Sequence, residues 1–239
     1  MTVTSRLLDY SLDGKQFQGY LARDEAAAGP RPAVLIAPTW AGRGEFEEGK
    51  ARKLAEAGYI ALALDMYGDG LCGTGPEENA ALMAPLLADR ADLQARINAG
   101  LAAAAALEEV DASRIAAIGY CFGGLCVLDL ARSGADVRGV VSLHGLFTPA
   151  DNVPAPTIRS KVLCLHGYDD PMAQPDSVLA LASELTTAGA DWQIHAYGNT
   201  VHAFTNPAAD DPDGGTAYSP VADRRSWLAM QNFFDEVLA

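Results

Sequence analysis

Two hydrophobic rhythms alternate along this chain. Short, nearly unbroken apolar runs give way to longer stretches in which apolar positions recur every three or four residues. The segment Leu7 to Ala22 predicts a hairpin with Asp13-Gly14 as its turn, because those residues tolerate the left-handed backbone of a tight connection. "AVLIAPT" (Ala33–Thr39) reads as a buried strand, Glu45–Ala57 as a helix closed by Gly58, and "YIALALDMYG" (Tyr59–Gly68) as another strand. Pro76, suited to a first helical turn, opens a helical region running to about Val110. Three strand-like runs follow: "RIAAIGY" (Arg114–Tyr120), "VRGVVSLHG" (Val137–Gly145) and "KVLCLHGYDD" (Lys161–Asp170). Asp176–Ala188 predicts a helix stopped by Gly189, "DWQIHAYG" (Asp191–Gly198) a strand, and Ala222–Leu238 an amphipathic closing helix.

This alternation predicts an α/β fold, with a mostly parallel central sheet and helices on both faces. In such sheets the reactive residues gather beyond the carboxyl ends of the strands. No repeat or linker divides the 239 residues, so the chain reads as one domain over 1–239. Only 16 residues, Gly145 to Ser160, separate two of the predicted strands, which leaves no room for a sizeable helical lid there.

Composition narrows the function classes. A net charge of −14 argues against nucleic acid or an anionic membrane as partner. The N-terminus lacks the apolar core of a secretory signal, and the alanine-rich stretch Leu101–Leu107 ends at Glu108 and Glu109, too short to span a bilayer. Cys72, Cys121, Cys126 and Cys164 show neither a CxxC pair nor metal-ligand spacing, so free thiols, no metal and a cytoplasmic setting are expected.

One cysteine stands apart. Gly119-Tyr120-Cys121-Phe122-Gly123 lies where a predicted strand meets a predicted helix, and it has the G-x-nucleophile-x-G form of a strained elbow. The helix start behind it supplies unpaired N–H groups and a positive dipole end, which favour an anionic sulfur and an oxyanion. Cys126 and Cys164, inside apolar runs, read as core. In the chain order of such sites an acid and then a histidine should follow. "LHGYDDP" supplies Asp169 and Asp170, and the spacing from Gly167 favours Asp170. His202, in the loop "YGNTVHAF", is the candidate base, while His144 and His166 end strands and can line the site, and His195 reads as structural. The N–H of Phe122 and that of Trp40, after "AVLIAPT", are the candidate oxyanion donors.

"GYCFGG", "HGYDDP" and "GNTVHAF", together with "VLIAPTWAGR" and "ALALDMYGDG", resemble the dienelactone hydrolase family of α/β-hydrolases over nearly the whole chain. The resemblance implies hydrolysis of a small ester or lactone through an acyl-enzyme on Cys121, with Asp170 and His202 completing the triad and no cofactor. It also points to Thr39, Asp69, Phe204 and Asn206 as substrate-pocket residues. Thr39 takes the place of a family glutamate that meets the resting thiol, while Asp69 and Asn206 align with arginines that grip a substrate carboxylate. A neutral or less acidic ester, lactone or thioester is therefore expected as substrate, unless Arg43 or Arg159 substitutes. Two other readings stay open on the same fold: a redox-sensing thiol protein and a non-catalytic binding protein.

Overall fold

The computed structural model describes residues 2–26, 29–150, 153 and 158–239. Strands β1 (Val3–Leu12) and β2 (Lys15–Asp24) form an antiparallel hairpin in which Leu12 pairs with Lys15. Asp13 and Gly14 turn the chain at φ 49° and 85°, both left-handed, as a two-residue hairpin loop requires. There follow β3 (Arg31–Ala37), α1 (Glu45–Glu56), β4 (Ile60–Ala63), α2 (Pro76–Ala88), α3 (Arg90–Ala105), β5 (Val110–Tyr120), α4 (Phe122–Arg132) and β6 (Gly139–Leu143). Then come β7 (Lys161–Gly167), α5 (Pro175–Thr187), β8 (Trp192–Tyr197), the short pair β9 (Asp210–Asp211) and β10 (Thr216–Ala217), and α6 (Pro220–Val237).

Eight strands form one sheet in the order β1-β2-β4-β3-β5-β6-β7-β8. The hairpin joins antiparallel at β4, and every pairing from β4 through β8 is parallel. The strands of the parallel part bury both faces. On β3, Ala33, Leu35 and Ala37 join one core with Leu86, Leu93, Leu125 and Leu181 from α2, α3, α4 and α5. Val34 and Ile36 point the other way, into a core with Leu54 of α1 and Met230 and Phe234 of α6. Each such side chain, when fully buried, contributes about 1.5–3 kcal/mol of transfer free energy. This two-sided burial explains why the strands read as continuous apolar runs rather than alternating ones.

The structure departs from the sequence pattern in two instructive places. β4 stops at Ala63 although the apolar run continues to Tyr67. The buried Asp65 carboxylate takes over the backbone, accepting the N–H groups of Tyr67, Gly68 and Gly70 at 2.8–2.9 Å and of Gln18 at 3.1 Å. The helical region from Pro76 is broken at Asp89 (φ −126°, ψ 88°), whose side chain caps α3 by accepting from Ala91 and Asp92. The remainder of that region ends earlier than expected because Val110 already belongs to β5. In the connection between β6 and β7, the described residues 145–150 and 158–160 contain no helix; residues 151, 152 and 154–157, on which the expected absence of a lid also bears, lie outside the described residues. No helix among the described residues is long and apolar enough to cross a membrane.

Candidate active site

The parallel sheet delivers four polar groups in order along one edge. Cys121 follows β5, His144 follows β6, Asp170 lies three residues past β7, and His202 lies five past β8. These are adjacent strands, so residues far apart in the chain converge beyond one set of carboxyl ends.

Cys121 adopts φ 57° and ψ −117°, a conformation that costs a non-glycine residue about 1–3 kcal/mol. Its glycine frame is a matter of space. A Cβ on Gly119 would lie 1.9 Å from the Gly123 carbonyl oxygen, and one on Gly123 would lie 2.1 Å from that of Ala37. The elbow therefore forms only if both flanking residues lack side chains. Cys126 and Cys164 are buried in the core, as expected; burial pushes the Cys164 thiol up to about 12 and raises that of Cys126 as well.

His202 Nδ1–H donates to Asp170 Oδ2 at 2.8 Å, and Asp170 Oδ1 accepts the Met172 N–H at 2.8 Å. Both carboxylate oxygens are thus engaged, and Asp170 is 1% exposed. Of the two candidate acids, Asp169 is exposed and Asp170 is the one bonded to His202. The His202 loop is laced to the β9–β10 pair: its N–H donates to the Gly215 carbonyl at 3.0 Å and its carbonyl accepts from Ala217 at 3.1 Å. Burial opposes charge on this imidazole. The Asp170 hydrogen bond, with the influence of Asp170 and Cys121 on the ring's charge, outweighs it and carries the His202 pKa up to about 10. Nε2 meets no acceptor at hydrogen-bonding geometry, although Cys121 lies near enough to act on the ring. Such contacts often tighten only when substrate binds.

The Phe122 N–H opens α4 and so has no acceptor within that helix. The loop bearing Trp40 is fixed from beneath by Glu47, a buried carboxylate whose oxygens accept the N–H groups of Thr39 at 3.0 Å and Gly44 at 2.9 Å. Burial raises the Glu47 pKa, partly offset by those bonds. Tyr67 Oη donates to the Trp40 carbonyl at 2.8 Å. Sequence reasoning missed Glu47; its one signal was its place three residues after Gly44, the reach-back position of a capping box.

A cavity of about 420 Å³ opens over these groups, with Cys121, His202, Thr39, Trp40 and Asn206 on its wall. Phe46, Met83, Leu146 and Met172 make the rest largely apolar. These four come from separate elements and carried no signal in the sequence. No Asp, Glu, Lys or Arg is among the lining residues described. Two expected pocket residues lie elsewhere. Asp69 is exposed at φ 54°, its N–H donated to the Gln16 carbonyl, because the Asp65 bonds fold that loop back toward the hairpin. Phe204 is fully buried on the α1–α6 face, its ring against those of Tyr197 and His144. Neither candidate cation reaches the cavity: Arg43 donates from Nε to the Gln18 carbonyl and pairs with Glu48, and Arg159 is exposed. Among the described residues, no cluster of His, Cys, Asp and Glu suits a metal ion.

The model of the dienelactone hydrolase family matches residues 17–238. The solved structure of m3DLH is 40% identical, with both chains covered completely and a TM-score of 0.95. The structure of P91, described as a dienelactone hydrolase-like promiscuous phosphotriesterase from metagenomic libraries, is 38% identical, again with complete coverage of both chains and a TM-score of 0.95. A Bradyrhizobium protein described as a probable 2-oxo-3-(5-oxofuran-2-ylidene)propanoate lactonase is 26% identical over 238 residues, covering 95% of this chain and 92% of its own. The parallel sheet wrapped by helices on both faces is the α/β-hydrolase fold, and the chain belongs to the dienelactone hydrolase family, hydrolases acting on ester or lactone bonds.

Proposed function

We propose that residues 1–239 act as one domain that hydrolyses small, neutral carboxylic esters or lactones through an acyl-enzyme on Cys121. The observation that carries this reading is the 2.8 Å bond that Asp170 accepts from His202, which shares the cavity wall with the strained Cys121. Sγ, its proton passing to His202 Nε2 or already held there as the raised His202 pKa favours, attacks the substrate carbonyl carbon. The carbonyl oxygen becomes an oxyanion facing the Phe122 and Trp40 N–H groups, each donor worth about 2.7–4 kcal/mol in the transition state. As the tetrahedral adduct collapses, the leaving alkoxide takes the proton from Nε2 and the thioester remains. Water, deprotonated by Nε2, then attacks the thioester; the carboxylic acid departs and the proton returns to sulfur. Asp170 holds the tautomer with its proton on Nδ1 throughout. No step calls for a metal or organic cofactor.

Substrate charge follows from the wall. Without a cation lining the described cavity, a carboxylate in the substrate would lose water and gain no partner. The acidic chain likewise disfavours nucleic acid and anionic membrane, and its free thiols suit the cytoplasm. The test is Cys121→Ala assayed on p-nitrophenyl butyrate. Loss of about 10³-fold or more in kcat with intact folding is expected; turnover near the starting level would remove Cys121 from the chemistry. The same assay separates a hydrolase from a redox sensor or a binding protein.

The likeness to P91 favours a second substrate class, neutral phosphotriesters, which the uncharged wall also suits. Sγ would attack phosphorus, forming an S–P bond as the aryloxide leaves, and water deprotonated by His202 would then cleave that bond, releasing the dialkyl phosphate and returning the thiol. Turnover of a p-nitrophenyl dialkyl phosphate by the native chain but not by Cys121→Ala supports this reading, and no turnover by the native chain excludes it.

A further inference from the structure

A second histidine stands against the nucleophile. His144 is 1% exposed, and its Nδ1 accepts the backbone N–H of Cys121 at 3.1 Å. That N–H also meets the Leu143 carbonyl at 3.1 Å, so two acceptors share it. With Nδ1 accepting, the ring proton sits on Nε2, which donates to Thr205 Oγ1 at 2.8 Å. Thr205 lies three residues beyond His202 on the same loop, and its carbonyl accepts from Lys50 Nζ at 3.4 Å. One imidazole thus connects the backbone of the nucleophile to the loop that carries the base.

The surroundings keep that ring neutral. Burial, then the neighbouring His202 and Lys50 charges, lower its pKa well below the ordinary histidine value. A neutral ring is what the bonding requires, since a proton on Nδ1 would face the Cys121 N–H donor to donor. The packing alone does not call for histidine. The ring is tilted against Tyr120 at 5.9 Å and edge-on to Phe204 at 5.1 Å, contacts a phenylalanine would also make. What phenylalanine lacks is the two nitrogens. The backbone here is also unusual: His144 has φ 37°, so the residues after β5 and β6 are both left-handed where they meet. Strained conformations persist only where surrounding contacts over-determine them.

We propose that His144 is a positioning residue, a neutral bridge that fixes the strained Cys121 backbone relative to the His202 loop and so keeps Sγ and Nε2 in register. This inference rests on the Cys121–His202–Asp170 reading and adds to it a residue that takes no part in proton transfer.

The experiment compares His144→Phe, His144→Asn, Thr205→Val and the His144→Phe/Thr205→Val double variant on p-nitrophenyl butyrate, with circular dichroism to check folding. His144→Phe is expected to lower kcat at least about fivefold while moving KM less than about threefold, because misplacement affects the transition state more than binding. Asparagine can offer an oxygen near the Nδ1 position, so His144→Asn should recover more than half of the lost kcat in logarithmic terms. The double variant should be no slower than His144→Phe, since both changes cut one chain of bonds. A kcat loss under fivefold in His144→Phe, no recovery in His144→Asn, or multiplicative effects in the double variant would overturn the proposal. If His144→Phe does not fold, Thr205→Val decides: a slower kcat supports the bridge, and an unchanged one overturns it. Cys121→Ala and His202→Ala serve as controls. Native-like turnover in either would sink the triad reading itself, whereas their inactivity beside an unimpaired His144→Phe would sink only the bridge.

Discussion

His144 and His202 stand 5.2 Å apart, edge to face, both buried at the same end of the sheet, yet their proton affinities are driven in opposite directions. His202 is carried up to about 10 because Asp170 and Cys121 outweigh its burial. His144, whose partners are a backbone N–H and a hydroxyl, has only a backbone hydrogen bond against its burial and the neighbouring positive charges, and is pushed well below the usual value. The pair shows that burial by itself does not set a histidine's role. One carboxylate converts a neutral strut into a group that takes and holds a proton.

The largest expected effect comes from erasing that difference. Asp170→Asn should leave His202 as poorly supported as His144, losing about 10³–10⁴-fold in kcat. Its pKa should fall from about 10, which a pH–rate profile or a histidine NMR titration would register. An Asp170→Asn variant with native kcat would show that the carboxylate is not the source of the contrast.

The converse substitution, Thr205→Asp, gives His144 a carboxylate of its own. Its titration should move upward, and at pH 6 kcat should fall about tenfold relative to pH 8 beyond the native change, as protonated Nδ1 turns a donor toward the Cys121 N–H. An unshifted His144 titration would refute this reading of its surroundings.

A smaller effect concerns stability. A raised His202 pKa means that its contribution is fully present below pH about 6.5 and is lost as pH rises through about 10. The lowered His144 pKa acts the other way: the unfolded chain binds its proton more readily, so stability falls as pH drops below about 6.5. Urea denaturation of Asp170→Asn should therefore show a flatter alkaline limb than the native chain, and that of His144→Asn a flatter acid limb. Equal slopes in native and variant would contradict the assignments.

The smallest effect tests the cavity wall. Asn206→Arg places a cation where the structure describes none, and it should raise kcat/KM for a carboxylated lactone relative to a neutral one by about tenfold. No change in the ratio would mean that charge at this position does not set substrate preference.

Much of this site was legible in the chain because local rules govern it. The crowded turn around Cys121 admits only glycine at Gly119 and Gly123, the left-handed hairpin turn needs Asp13-Gly14, and "GYDDP" spaces Asp170 from its strand. Apart from the approach of Gly123 to the Ala37 carbonyl, those constraints act within a few residues, so the local sequence records them. Asp69 and Phe204 were misplaced because alignment with a pattern says where a residue lies along the chain, not which way its loop folds. The Asp65 carboxylate decided that for Asp69, and packing on the α1–α6 face decided it for Phe204.

The sequence by itself determined the alternation of strand and helix and the glycine-framed elbow at Cys121, since each depends on backbone sterics or on the period of burial. Only the tertiary structure decided that Glu47 props the Trp40 loop, that His144 bridges Cys121 and Thr205, and that no cation lines the described cavity. Those features are contacts between groups from eight to tens of residues apart, and the free energy that selects them arises when the strands align and water leaves the space between them.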